Sequence, residues 1–183
     1  AIDAPLRPGF LRPGGLVLIT DDGRGVAARL AGRLEVTGLR PVRLQVESAA
    51  AAGSGSGAWQ VDLTSPTSVA GLVERLASEG PLAGIVHAQP LRQCPEARLD
   101  PSIWDERMRT EVRSLFLLAR ACGGLLAESA RAGGASLIAA TALGGAYASV
   151  PGGPADFFPG HGAIAGLVKT LDREWDGVRA RVV

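Results

Sequence analysis

Three stretches of the chain carry residues suited to chemistry. The first is Thr20-Asp21-Asp22-Gly23-Arg24-Gly25-Val26-Ala27, which follows an apolar run and precedes a helical pattern. Glycines between a strand and a helix let backbone N–H groups approach a phosphate, and a helix N-terminus favours negative charge there. Thr20, Gly23, Arg24 and Gly25 are therefore candidate contacts to a pyrophosphate. Asp21 and Asp22 oppose this, because carboxylates facing phosphates repel them unless the side chains turn away. The second stretch holds His161, whose imidazole belongs to the side-chain class that titrates near neutrality and suits proton transfer. Thr141 supplies a hydroxyl upstream of it. The third is a phenol and an ammonium group: Tyr147 is the only tyrosine and Lys169 the only lysine. Lys169 lies eight positions beyond His161 on one predicted helix, about 12 Å along it at a rise of about 1.5 Å per residue. A direct Tyr147–Lys169 pair would need the intervening loop to fold back.

The elements that must position these residues follow from hydrophobic patterning. Leu16–Thr20 is short, apolar and β-branched, as in a strand buried on both faces. Val26, Leu30, Leu34 and Val36 form the apolar stripe of a helix ending near Gly38. Pro41–Val46 reads as a second strand, the small-residue stretch Glu47–Ala58 as a loop, and Trp59–Leu63 as a third strand. Ser65 caps a helix with Pro66 at its first position, with Val69, Leu72, Val73 and Leu76 inward. Gly84–Ala88 is a fourth strand. A helix from Ile103 to about Glu128 has a break near Thr110. Ala135–Thr141 is a fifth strand, and Gly144–Gly160 a Gly/Pro-rich loop. Ala163–Trp175 is a helix with Ile164, Leu167, Val168 and Leu171 inward, and Val178–Val183 begins a sixth strand.

Strand and helix alternate throughout, which predicts an α/β domain with a parallel sheet covered on both faces. Right-handed crossovers make it a doubly wound, Rossmann-like sheet of about six strands. Residues 1–14 read as a linker or lead-in and 15–183 as the domain. A chain ending on a strand is expected to be a fragment of a longer polypeptide, truncated at its C-terminus.

Composition narrows the function. At 183 residues, 46% hydrophobic and 20% charged, the chain suits one packed domain. A formal net charge of +1 and scattered arginines exclude a nucleic-acid surface. Cys94 and Cys122 read as reduced thiols of a cytoplasmic protein. His87 and His161 lie too far apart for a metal-ligand motif, so no metal is expected. There is no signal peptide and no 18-residue apolar run, so no membrane span is expected.

The glycine-containing turn resembles the T-G-x-x-x-G-x-G pattern of short-chain dehydrogenases and reductases. Thr20 and Gly25 match it, Ala27 replaces the last glycine and Asp21 the first. Asp62, in VDLT, resembles the acidic residue that contacts adenine there. His87-Ala88-Gln89-Pro90 stands where the family has a small-residue stretch that lines the cofactor. The GIVHA form, the run Leu99-Asp100-Pro101, Trp104-Asp105, Glu111-Val112 and Leu118, and the RPGG before the first strand are similar to ketoreductase domains of type I modular polyketide synthases. The similarity spans roughly residues 12–183.

That resemblance implies NADPH as cofactor, held by Thr20, Gly23, Arg24, Gly25, Asp62, His87 and Ala88. Glu47 opposes a 2′-phosphate, whereas Arg24 and Arg43 favour one. In the family a tyrosine protonates the carbonyl oxygen, a lysine lowers its pKa and a serine positions the carbonyl. Here Phe157 falls at the tyrosine and Glu111 at the polyketide-type lysine, while His161 falls at the lysine or asparagine of the last helix. The serine falls at Thr141 or Ala142. The resemblance thus implies a ketoreductase-fold domain of a polyketide or fatty-acid synthase, catalytically impaired and kept for architecture. Its partners would be an acyl carrier domain, neighbouring synthase domains and a second copy through the larger polypeptide. Alternatives are an active NADPH-dependent β-ketoacyl-thioester reductase using Thr141, His161 and Tyr147, and a nucleotide- or partner-binding Rossmann domain.

Overall fold

A computed structural model describes residues 10–46, 58–92, 100–144 and 157–183. Tyr147, Cys94, Glu47 and most of the two predicted loops lie outside them. The strands are β1 (Leu16–Thr20), β2 (Arg40–Val46), β3 (Ala58–Val61), β4 (Leu82–His87), β5 (Ala135–Ala139) and β6 (Val178–Val182). The helices are α1 (Val26–Val36), α2 (Pro66–Glu79), α3 (Pro101–Arg107), α4 (Ser114–Arg131) and α5 (His161–Glu174). All six strands are parallel and run in the order β3-β2-β1-β4-β5-β6. This is the doubly wound Rossmann-type sheet that the alternating pattern predicts. Its order reverses between β1 and β4, where such sheets open a crevice beyond the strand ends.

β1 is buried over all five residues because it is central and covered on both faces. One core joins Leu16, Leu18, Leu72, Leu76, Leu118, Ile164 and Val168. A smaller one joins Val17, Ile19, Ala27 and Ala31 under α1. The inward face of α1 keeps half of the predicted stripe: Leu30 and Leu34 pack against the core, Ala27 and Ala31 are buried, and Val26 and Val36 are exposed. Alanines let the helix backbone approach β1 closely, and the glycine turn fixes the helix rotation. β3 ends at Val61, and Leu63 is buried in the turn beyond it. β4 begins two residues before its predicted start because Leu82 and Ala83 are buried as well. β5 ends at Ala139, leaving Thr141 past the strand.

The predicted break near Thr110 is a π-helical segment, Met108–Arg113, between α3 and α4. A π turn interrupts the i−4 ladder and frees carbonyls. The Ser114 hydroxyl donates to the Thr110 carbonyl, and His87 Nε2 lies 2.7 Å from the Glu111 carbonyl. These contacts satisfy two carbonyls of the segment around its one buried residue, Glu111. Among the described residues no helix is long and apolar enough to cross a membrane.

The described end of the lead-in is seated on the domain. Arg12 N–H donates to the Gly134 carbonyl at 3.0 Å, and the Arg179 guanidinium stacks 3.7 Å from the Phe10 ring centroid. Gly134 has φ +118°, and a Cβ there would collide with the Phe10 carbonyl. Gly134→Ala is therefore expected to cost about 2–4 kcal/mol, from backbone strain plus overlap. Urea unfolding checks this. A loss below about 0.5 kcal/mol, the level of an ordinary surface change, would mean that the lead-in is not part of the fold.

Candidate functional site

The crevice between β1 and β4 collects most of the predicted site residues. Thr20, the last residue of β1, is fully buried. Its Oγ1 accepts from Ala88 N–H at 2.9 Å and Gln89 N–H at 3.0 Å. With both acceptor positions used, its own proton is directed to His87 Nδ1, 3.3 Å away. The His87 proton then lies on Nε2 and is donated to the Glu111 carbonyl. Burial pushes the His87 pKa down to about 4, so the ring is neutral. Thr20, His87 and Ala88, predicted as cofactor contacts, thus fasten the end of β1 to the end of β4 and to the π segment.

The Gly23 and Gly25 backbones both take positive φ, +65° and +84°. That curvature turns Asp22 inward. Asp22 is fully buried. Its Oδ1 accepts from Ala27 N–H at 2.8 Å, and its Oδ2 from Val26 N–H at 3.1 Å and Arg24 N–H at 3.2 Å. A carboxylate at the positive end of a helix is favourable, and here it satisfies two N–H groups that open α1. Asp21 caps the turn more loosely, accepting from Gly23 N–H at 3.0 Å. Arg24 crosses the crevice, its Nη1 reaching the Leu91 carbonyl at 3.4 Å. The N–H groups at the start of α1 that would cradle a pyrophosphate are engaged by the chain's own carboxylate. The turn as folded does not fit a dinucleotide.

Asp62 lies past β3, where its Oδ1 accepts from the Thr64 hydroxyl at 2.7 Å and the Thr64 N–H at 2.8 Å. Those bonds hold its carboxyl below the ordinary value. Asp62 also lines a shallow cleft of about 260 Å³ with Trp59, Ser68, Gly71 and Arg75.

A second cluster surrounds Glu111. Arg107 grips its carboxylate with Nε at 2.7 Å and Nη2 at 3.0 Å. His161, the first residue of α5, places Nε2 2.8 Å from Glu111 Oε2. Ala142 N–H donates to His161 Nδ1 at 3.2 Å, so the ring proton sits on Nε2 and is donated to Glu111. Burial alone would raise the Glu111 carboxyl, but the bonds from His161 and Arg107 hold it below its ordinary value. Phe158 packs edge-on against His161, with centroids 5.6 Å apart, and beneath the Arg107 guanidinium at 4.3 Å.

The structure therefore brings Glu111 and His161 together but not Thr141. Thr141 Oγ1 lies 3.4 Å from the Val183 carbonyl, and the backbone of Ala142 meets the imidazole instead. His161 is fully buried with both nitrogens engaged, so it can transfer a proton to a ligand only by leaving Ala142 or Glu111. Phe157, at the tyrosine position, is half-buried. Arg107 and Phe158 are site residues that the sequence did not point to, and Asp22, expected to oppose a phosphate unless turned away, is instead the cap of α1. Only the Arg107–Glu111 spacing, an i,i+4 pair of opposite charge, carried a readable signal.

No protein-family model and no curated protein matches the chain. Solved structures do. A Pseudomonas aeruginosa RhlG/NADP active-site complex is similar at TM-score 0.72 and 24% identity, covering 97% of this chain and 73% of that one. The 3-ketoacyl-(acyl-carrier-protein) reductase from Brucella melitensis, complexed with NADH, is similar at TM-score 0.71 and 20% identity, over 93% and 74%. A structure with adenylation, ketoreductase and pseudo-Asub domains of a keto acid-selecting NRPS module is similar at TM-score 0.71 and 18% identity. It covers 98% of this chain and 14% of that one.

Proposed function

We propose that this chain, which has the short-chain dehydrogenase/reductase fold, is a ketoreductase-type domain of a polyketide or fatty-acid synthase-like polypeptide, catalytically impaired and kept for architecture. The observation that carries this reading is the closed corner at Glu111. A reductase needs a group there that gives a proton to a carbonyl oxygen. Phe157 has no such proton, and the imidazole of His161 is held on both sides by Glu111 and Ala142 N–H. Glu111 brings negative charge to a place where a lysine would favour a phenolate. The role left is to present surfaces to neighbouring domains and to an acyl carrier.

The test is a reduction assay on the folded domain with NADPH and a short β-ketoacyl thioester. No turnover above background is expected, and His161→Phe should leave that result unchanged. NADPH-dependent reduction that disappears in His161→Phe would overturn the reading in favour of an active reductase with an altered residue set.

A further inference from the structure

We infer that Asp22 is a built-in occupant of the dinucleotide seat, and that this one carboxylate keeps a pyrophosphate out. The inference rests on the reading of the domain as a reductase fold without turnover, and it names the residue that denies the cofactor its place.

The first of two observations carries it, and the second describes the wall beside it. The first is occupancy. The Asp22 carboxylate takes three N–H groups of the turn and the first helical residues, Arg24, Val26 and Ala27, at 2.8–3.2 Å. It is fully buried while doing so. Its two oxygens stand in for the oxygens of a phosphate at the start of α1. A ligand phosphate would have to displace a buried anion that is already bonded and tethered. The second observation comes from the opposite wall. Gln89, in the turn Gln89–Leu91 that follows β4, is fully buried, yet neither its Nε2 nor its Oε1 has a partner. Its own N–H bonds to Thr20, the residue before the Asp21-Asp22 pair. Buried carboxamides are almost always satisfied. An unsatisfied one next to Thr20 leaves polar capacity unmet inside the β4 wall of the crevice. One wall thus keeps unmet polar capacity while the other is filled from within.

Asp21 has a separate part. Its carboxylate takes only the Gly23 N–H and is partly exposed, so it repels a phosphate by charge without occupying the seat.

The experiment compares the protein with its Asp22→Gly, Asp22→Ser and Asp21→Asn variants. Each is titrated by calorimetry with inorganic pyrophosphate and with NADPH, after circular dichroism confirms folding. Asp22→Gly is expected to bind both probes at least about tenfold more tightly than the parent chain, a gain of one decade in Kd. Asp21→Asn should gain much less. Should the glycine variant fail to fold, Asp22→Ser keeps one acceptor for the helix N–H groups and must show the gain. A folded Asp22 variant that binds no better than the parent overturns the inference and leaves the reading of an impaired domain intact. Micromolar NADPH binding by the parent chain overturns the inference whatever the reduction assay shows.

Discussion

Glu111→Ala should lower the unfolding free energy by about 3–5 kcal/mol, the cost of breaking a buried ion pair from one side. The carboxylate accepts two bonds from Arg107 and one from His161, and its removal leaves the buried imidazole and the half-buried guanidinium without that acceptor. The loss spreads, because His161 opens α5 and its other nitrogen holds Ala142. Glu111→Gln is the informative partner. It keeps an acceptor for the imidazole and gives up the charge facing Arg107, so it should cost less, about 1–2 kcal/mol. Urea unfolding of the three proteins decides it. Equal losses below about 1 kcal/mol, the range of exposed pairs, would show that the cluster is an ordinary surface ion pair and would remove it from the account of the closed corner.

The second large effect is a loss of stability in mild acid. His87 is neutral in the fold, with its pKa pushed down from 6.5 to about 4, while the unfolded chain protonates it near the ordinary value. Between those two values the unfolded state binds the extra proton, so stability falls as pH drops from about 6.5 to about 4. The fall amounts to about 3 kcal/mol once both limits are passed. Glu111 acts lower down: its depressed pKa means stability that is present above the unfolded carboxyl value and lost as pH falls through the folded one. Acid unfolding should therefore begin with the imidazole and end with the carboxylate. His87→Gln should be less stable at pH 7, because one side chain cannot replace both ring contacts, but its stability should change much less between pH 6.5 and 4. Parallel stability–pH curves for the two proteins in that window would refute the assignment.

Much of the architecture was legible because it rests on local rules. Leu16–Thr20 is apolar at every position, and Ser65-Pro66 announces a helix start that the structure reproduces, with Ser65 accepting from Ser68 N–H. The break near Thr110 was visible as a change of pattern, though not as a π turn, since one partner of its carbonyls, His87 on the Glu111 carbonyl, comes from 24 positions away. The candidate site was less legible for the same reason. Whether Asp22 faces solvent or caps α1 depends on two positive φ angles at Gly23 and Gly25, and the residue types alone do not fix them. His87 looked like a lining residue because its burial follows from the register that sets Thr20 beside it. The α1 stripe was half right: Leu30 and Leu34 pack against the core, but Val26 and Val36 are exposed and small alanines lie inward, where burial depends on how closely the helix approaches the sheet.

The strand order has a consequence for synthesis on the ribosome. β1 is made first, yet one of its edges is covered only when β4 arrives, and Thr20 meets His87 across 67 positions. At about 5–20 residues per second, that edge stays open for roughly 3–13 s. During this interval an uncharged, β-branched run, Leu16–Thr20, is available to any other nascent strand. A charged residue within the run would protect it, but both of its faces end up buried and no position can carry one. Yield of the native domain should therefore depend on how fast translation reaches β4, and slow codons between β2 and β4 would favour aggregates over folded protein.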